Sequence, residues 1–101
     1  MTALEHNLAL AHDWSGTFKI MGDPTRLKLL SAIHYAGQFA STVTELAEAT
    51  DVRVATASAA LRAMEQNGTV ASARDGRSIH YGIADERVHH LLHWIGTSHE
   101  H

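Results

Sequence analysis

The 101-residue sequence predicts a mainly α-helical domain that carries one small β-hairpin, and three observations predict this fold class. Apolar residues recur at helical spacing in two short segments between residues 43 and 67, with Thr50-Asp51 as a polar break between them. Gly68 follows the second segment, where a helix C-cap is expected. Asp75-Gly76 then lies between two stretches of strand-forming residues. We therefore expect one winged helix-turn-helix domain with about five helices and a two-stranded wing.

The N-terminal segment, residues 1–21, is predicted to be a helix with large apolar residues along one side. These residues recur at steps of four, four and three, and they are Leu10, Trp14, Phe18 and Met21. Gly16 falls within the segment and leaves a break in the helix as an alternative. Such a stripe either closes the core of the domain or packs against a second chain.

A second helix is predicted to begin after Asp23 and to end near Tyr35. Asp23 suits the N-cap, and Pro24 suits the first helical position, where its missing N–H costs nothing. We interpret His34 as a structural histidine rather than a metal ligand. Residues 38–42 are expected to form a short loop, with Ser41 or Thr42 capping the next helix.

The helix-turn-helix is predicted at residues 43–67, and its second helix has the composition of a DNA-reading helix. The outer face of that helix is small or basic and consists of Arg53, Thr56, Ser58, Ala59 and Arg62. Small residues allow close approach to the major groove, hydroxyl groups can bond to base edges, and guanidinium groups hold phosphates. The alternative is an alanine-rich surface helix in an ordinary bundle.

A hairpin at residues 69–83 is the predicted wing, with strands at 69–72 and 78–83. Its connecting residues 73–77 contain Arg74 and Arg77, which are placed to meet a phosphate backbone. Between residues 52 and 84 four arginines outnumber two acidic residues, although the chain has a formal net charge of −3. The segment is therefore locally basic, as a DNA-binding surface should be, whereas a solvated turn is the alternative.

Together these motifs resemble the ArsR/SmtB family of winged-helix repressors. The resemblance covers roughly residues 14–98 and is carried by residues 21–30, 44–47, 57–62 and 74–77 and by Tyr81. It implies a cytoplasmic homodimer, joined through the first and last helices, that binds palindromic double-stranded operator DNA and releases it with an inducer. Ala59-Ala60 departs from the family, whose members often carry histidine or glutamine after the serine. This departure shifts the expected readout towards Thr56, Ser58 and DNA shape.

The C-terminal segment, residues 85–98, is predicted to be a helix for dimerisation and sensing. Asp85 suits its N-cap, and an apolar stripe follows at Val88, Leu91, Leu92 and Ile95. Five of the nine histidines fall in the last 13 residues, and His89 and His93 are one helical turn apart. Imidazole and carboxylate ligands at this spacing suit Zn²⁺, Ni²⁺ or Co²⁺. A solvated histidine-rich helix end and a pH sensor are the alternatives.

The predicted metal ligands are Asp85, His89, His93, His99 and His101. The resemblance supplies Asp85 and His101, which match the first and fourth positions of a metal site shared between the last helices of two subunits. Arg87 and Ser98 stand at the second and third positions and are unfit ligands, so His89 or His93 and then His99 are expected to replace them. Thr42 stands where some family members carry a cysteine, so the family's other metal site is absent. Whether His6 or His12 adds a ligand stays open.

Composition excludes several classes of protein. Without cysteine the chain forms no disulfide and no thiolate metal site. There is no apolar run of about 18 residues, so no membrane span is expected. No secretory leader is visible at the N-terminus. The sequence has no nucleophile beside a base and no phosphate-binding glycine loop, so an enzyme has little support. A repressor released by metal is the interpretation. The alternatives are a repressor with a non-metal signal or none, and a metal-binding or partner-docking module that never binds DNA.

Overall fold

The structure, a computed structural model, describes residues 2–98, which form five helices and three strands. In chain order they are α1 (Ala3–Met21), α2 (Pro24–Ala36), β1 (Ser41–Thr42), α3 (Val43–Thr50), α4 (Val54–Gln66), β2 (Val70–Asp75), β3 (Ser78–Ile83) and α5 (Glu86–Trp94). The predicted mainly helical winged helix-turn-helix is confirmed. None of the described helices combines the length and the apolar composition that a bilayer-spanning segment needs.

Side-chain caps fix where the helices begin. The Asp23 carboxylate accepts a hydrogen bond from Arg26 N at 2.9 Å, and Pro24 occupies the first position of α2, as predicted. Thr42 and Glu45 form a reciprocal capping box at α3. Hydrogen bonds from the Thr42 backbone and hydroxyl, helped by His80, hold the pKa of the Glu45 carboxyl below its usual value.

The core is one cluster to which the helices and the wing root all contribute. Its most deeply buried side chains are Leu29, Leu30, Ile33, Leu46, Ala57, Leu61, Met64, Val70, Val88 and Leu92. Because α2, α3, α4 and α5 all place apolar side chains in this cluster, its packing fixes the orientation of α4 relative to α5. The helix α1 runs unbroken through Gly16, so the alternative of an interrupted helix is wrong.

The sheet differs from the predicted two-stranded wing in two respects. A third strand, β1, replaces part of the predicted loop and pairs antiparallel with β3, which gives the order β1-β3-β2. A two-residue strand is too short to show alternation in the sequence. The second difference is that β2 continues to Asp75, which pairs with Ser78. The predicted five-residue connection is therefore a two-residue turn at Gly76 and Arg77, since glycine adopts the required positive φ of 64°.

The last helix is shorter than predicted, because α5 ends at Trp94 and not at Ser98. Gly96 has a φ of 92°, a left-handed conformation that glycine adopts without a steric penalty. The Thr97 backbone N–H then donates to Leu92 O at 3.1 Å, which closes the helix end. Gly96 is the sequence signal for the end of this helix, but the apolar stripe that continues through Ile95 favoured a longer helix.

Gln38 joins the end of α2 to the root of the wing. Its Nε2 donates to Ile83 O at 2.7 Å, and its Oε1 accepts from Ile83 N at 2.6 Å. The neighbouring Gly82 permits this approach, since a Cβ there would lie 2.9 Å from Gln38 Oε1 and 3.0 Å from the Phe39 ring. The Gln38 side chain therefore satisfies both backbone hydrogen-bonding groups of Ile83, as a neighbouring strand would.

We predict that Gln38→Ala lowers the free energy of unfolding by about 1–2 kcal/mol, because both backbone groups of the buried Ile83 lose their partner. Urea denaturation followed by circular dichroism measures the change. Gln66→Ala is the matched control, since Gln66 is exposed at the end of α4, and it should change stability by less than about 0.5 kcal/mol. Equal effects of the two substitutions would show that the Gln38 contacts contribute nothing.

Candidate functional sites: a DNA-reading face and a histidine cluster

The helix-turn-helix consists of α3, a tight turn and α4. Asp51 makes the turn with a left-handed φ of 55°, and the Val52 backbone N–H returns to Ala47 O at 3.0 Å. The buried faces are Leu46 and Ala47 on α3 and Ala57, Leu61 and Met64 on α4. The opposite side of α4 is thereby presented to solvent.

The structure places the predicted reading residues on that outer side. Arg53 precedes the first turn of α4 and is exposed, as are Thr56, Ala59 and Arg62, whereas Ser58 is half-buried. Arg62 folds back along the helix, with its Nε 3.5 Å from Ser58 O. The face therefore combines small side chains near its middle with guanidinium groups at both ends.

The wing carries the remaining two predicted DNA contacts. Arg74 lies in β2 opposite Ile79, and Arg77 lies in the turn. Both side chains are exposed, and within residues 2–98 neither has an acidic partner. Unpaired exposed guanidinium groups are the groups that bind phosphates in protein–DNA complexes.

A hydrogen bond links the wing to α4. The Ser72 hydroxyl of β2 donates to the Glu65 carboxylate of α4 at 2.6 Å. Tyr81 of β3 lies nearby, and burial raises the pKa of its phenol, with the Glu65 charge adding to this effect and Arg62 opposing it. The hydrogen bond ties β2, the strand that carries Arg74, to α4.

A second cluster lies where the end of α2 meets α5. Ring nitrogens of His34, His89 and His93 lie within 4.8 Å of one another. The Nε2 atoms of His89 and His93 are 3.2 Å apart, and the His34 ring stacks on that of His89 with a centroid distance of 5.2 Å. His34 is 4% exposed, whereas His89 and His93 reach the surface.

Helix geometry explains why these three rings meet. Each follows a fully buried apolar residue by one position, so each ring lies at the edge of a buried helix face. The apolar neighbours are Ile33, Val88 and Leu92. Packing of α5 on α2 through those neighbours brings the imidazoles into contact.

Of the five predicted metal ligands, the structure brings His89 and His93 together and places Asp85 in another role. The Asp85 carboxylate caps α5 by accepting from Arg87 N at 2.9 Å. The predicted ligands His99 and His101 lie outside the described residues. The sequence analysis interpreted His34 as a structural histidine, because it is separated from α5 by more than half of the chain and no local spacing links them, whereas the structure places it beside His89 and His93.

The far side of α5 is attached to α1. Arg87 donates to Asp13 O at 2.8 Å, forms an ion pair with the Asp13 carboxylate, and lies 4.7 Å from the centre of the Trp14 ring. These two helices, with the C-cap residue of α5, also carry most of the exposed large apolar side chains, namely Leu4, Leu8, Leu10, Phe18, Trp94 and Ile95. The predicted stripe of α1 thus buries Met21 but leaves Leu10 and Phe18 exposed.

Comparison with known proteins places this geometry among transcriptional regulators. A family model described as the MarR family matches residues 23–78. The cadmium resistance transcriptional regulatory protein CadC of Listeria innocua is 33% identical over 78 residues, which are 77% of this chain and 64% of that protein. The chain thus spans just under two thirds of the length of this curated relative.

Two solved structures have the same fold. The AntR antimony-specific transcriptional repressor has a TM-score of 0.76 at 32% identity, over 85% of this chain and 76% of that one. The homodimeric winged helix-turn-helix domain of Mb0332 from Mycobacterium bovis, a possible ArsR-family regulator, has a TM-score of 0.67 at 28% identity, over 94% and 83% of the two chains. The chain therefore belongs to the MarR family and has the winged helix-turn-helix fold of these transcriptional regulators.

Proposed function

We propose that this regulator is a repressor of the ArsR/SmtB kind that acts in the cytoplasm as a homodimer. It binds double-stranded operator DNA and is released when a divalent transition metal ion, Zn²⁺, Ni²⁺ or Co²⁺, binds at its C-terminal helix. The observation that carries the proposal is that one packed core supports both an exposed α4 face and wing, with arginines unpaired among the described residues, and a cluster of three imidazoles.

The DNA contacts are divided between α4 and the wing. Thr56, Ser58 and Ala59 face the bases of the major groove, where small side chains allow close approach and hydroxyl groups bond to base edges. The guanidinium groups bind the flanking phosphates, and they belong to Arg53, Arg62, Arg74 and Arg77. Phosphate contacts fix the register of the protein on the duplex, so that a small number of base contacts can specify the operator sequence.

Dimerisation is supported by apolar surface that one chain leaves exposed. Leu4, Leu8 and Phe18 on α1 are 66%, 60% and 56% exposed, and Trp94 of α5 is 83% exposed. Adjacent apolar patches of this kind mark protein–protein interfaces. A two-fold dimer through α1 and α5 would place two copies of α4 in successive major grooves, about 34 Å apart. The relative Mb0332 is described as a homodimer, which supports the same assembly here.

The metal response is supported by the imidazoles and by two relatives. CadC is named for cadmium resistance and AntR is described as antimony-specific, which favours a metal or metalloid signal for this chain as well. This chain has no cysteine and instead presents His89 and His93 as a pair on α5. Imidazole nitrogen favours Zn²⁺, Ni²⁺ and Co²⁺, whereas thiolates bind softer ions.

The α5 helix lies between the proposed dimer interface and the core that carries α4. An ion that shifts α5 therefore changes the separation and angle of the two reading helices in the dimer. Such a change lowers DNA affinity only if the metal binds more tightly to the DNA-incompatible geometry. Couplings of this kind amount to about 1–3 kcal/mol.

We predict that Arg74→Ala/Arg77→Ala weakens binding to a duplex selected by the wild-type protein from a random-sequence pool. The slope of log affinity against log salt should fall by about one for each phosphate contact removed. Fluorescence anisotropy across a salt series measures both quantities. Lys28→Ala removes an exposed charge from α2 and should leave the slope unchanged. An unchanged slope in the double variant would remove the wing from the DNA contacts.

We also predict that Zn²⁺, Ni²⁺ or Co²⁺, added singly, lowers the affinity of the wild-type protein for that duplex by about 5- to 150-fold. Chelation should restore the original affinity. Indifference to all three ions would contradict metal control and favour a repressor with another signal or with none.

A further inference from the structure

We propose that His34, His89 and His93 form a divalent-metal site within a single chain, which clamps α2 to α5. The proposal rests on the proposed function for its regulatory meaning, but the site itself is argued from side-chain geometry alone. It differs from a site shared between the last helices of two subunits, because every ligand comes from the same chain.

Two of the three donors already have the spacing that a bound ion requires. Bonds of 2.0–2.1 Å from nitrogen to a tetrahedral Zn²⁺ place two ligand nitrogens about 3.3–3.4 Å apart. The Nε2 atoms of His89 and His93 are 3.2 Å apart. Since no pair of donors is farther apart than 4.8 Å, the remaining nitrogen needs to approach by at most about 1.5 Å.

The surroundings suit a site that loads and unloads. His34 is almost completely buried and is held by the packing of α2, whereas the α5 pair reaches solvent. An ion therefore enters from the α5 side and meets one anchored ligand and two adjustable ones. Three imidazoles leave one tetrahedral position for water, and this neutral nitrogen set suits Zn²⁺, Ni²⁺ and Co²⁺.

The cluster lies at a junction between the DNA-reading part of the chain and the α1–α5 surface. His34 belongs to the last turn of α2, and Gln38 just beyond it holds Ile83 at the wing root. On its far side, α5 is fixed to α1 by Arg87 and Asp13. A bound ion would therefore tie α5, and through Arg87 also α1, to the end of α2 that lies next to Gln38.

Metal binding to the full chain tests the proposal directly, with Zn²⁺ followed by calorimetry and Co²⁺ by its visible absorption. We expect one ion per chain, with the affinity lowered by more than about tenfold in His89→Gln, His93→Gln and His34→Gln. His90→Gln is the matched control, because His90 neighbours the pair on α5 but lies outside the three-histidine group. It should bind metal as the wild-type protein does.

His34 is buried, so His34→Gln is interpreted only if its thermal unfolding remains cooperative. A second measurement covers the case in which it does not fold: the NMR spectrum of the wild-type Co²⁺ protein should show hyperfine-shifted signals from three imidazole rings. Signals from only two rings, one ion per two chains, or wild-type affinity in a folded His34→Gln would each overturn the proposal.

The same experiments separate this site from the proposed function. If metal releases DNA equally well from a folded His34→Gln protein, the single-chain site is wrong and metal control stands. If one ion binds per chain through the three rings but DNA affinity does not change, the site stands and metal control is wrong.

Discussion

The packing of α2 against the rest of the chain is the constraint on which both candidate sites depend. Its buried side chains meet those of α3 and α4 on one side and those of α5 on another, in a cluster that is almost fully excluded from solvent. Truncation of one such leucine typically costs about 2–5 kcal/mol, so relative movement of these helices is restricted. The same helix therefore positions α4 for DNA and places His34 against α5.

The local elements could be predicted because their signals lie close together in the sequence. Asp23 with Pro24, Thr42 with Glu45, and Gly68 with its φ of 84° each fix a helix boundary through contacts a few residues apart. The outer face of α4 could also be predicted from the sequence, since helical periodicity alone separates the buried Ala57 and Leu61 from the exposed Thr56 and Arg62.

Features that depend on distant residues were not predictable in this way. Strand β1 exists because Ser41 and Thr42 meet β3 across the fold, and Gln38 pairs with Ile83 for the same reason. The histidine cluster is the functional example: the i, i+4 spacing identified His89 and His93, but only the docking of α5 on α2 brings His34 to them. The end of α5 at Trp94, two residues before the left-handed Gly96, also could not be read from the apolar stripe through Ile95.

Coupling between the ion and the operator is the central claim, and it has a direct thermodynamic consequence. If metal lowers operator affinity by a given factor, operator DNA must lower metal affinity by the same factor. Zn²⁺ affinity should therefore be measured for the free protein and for the protein saturated with its selected duplex. The proposed coupling predicts weaker Zn²⁺ binding in the DNA complex, whereas equal affinities would contradict a coupling of the histidine cluster to the proposed DNA-reading face.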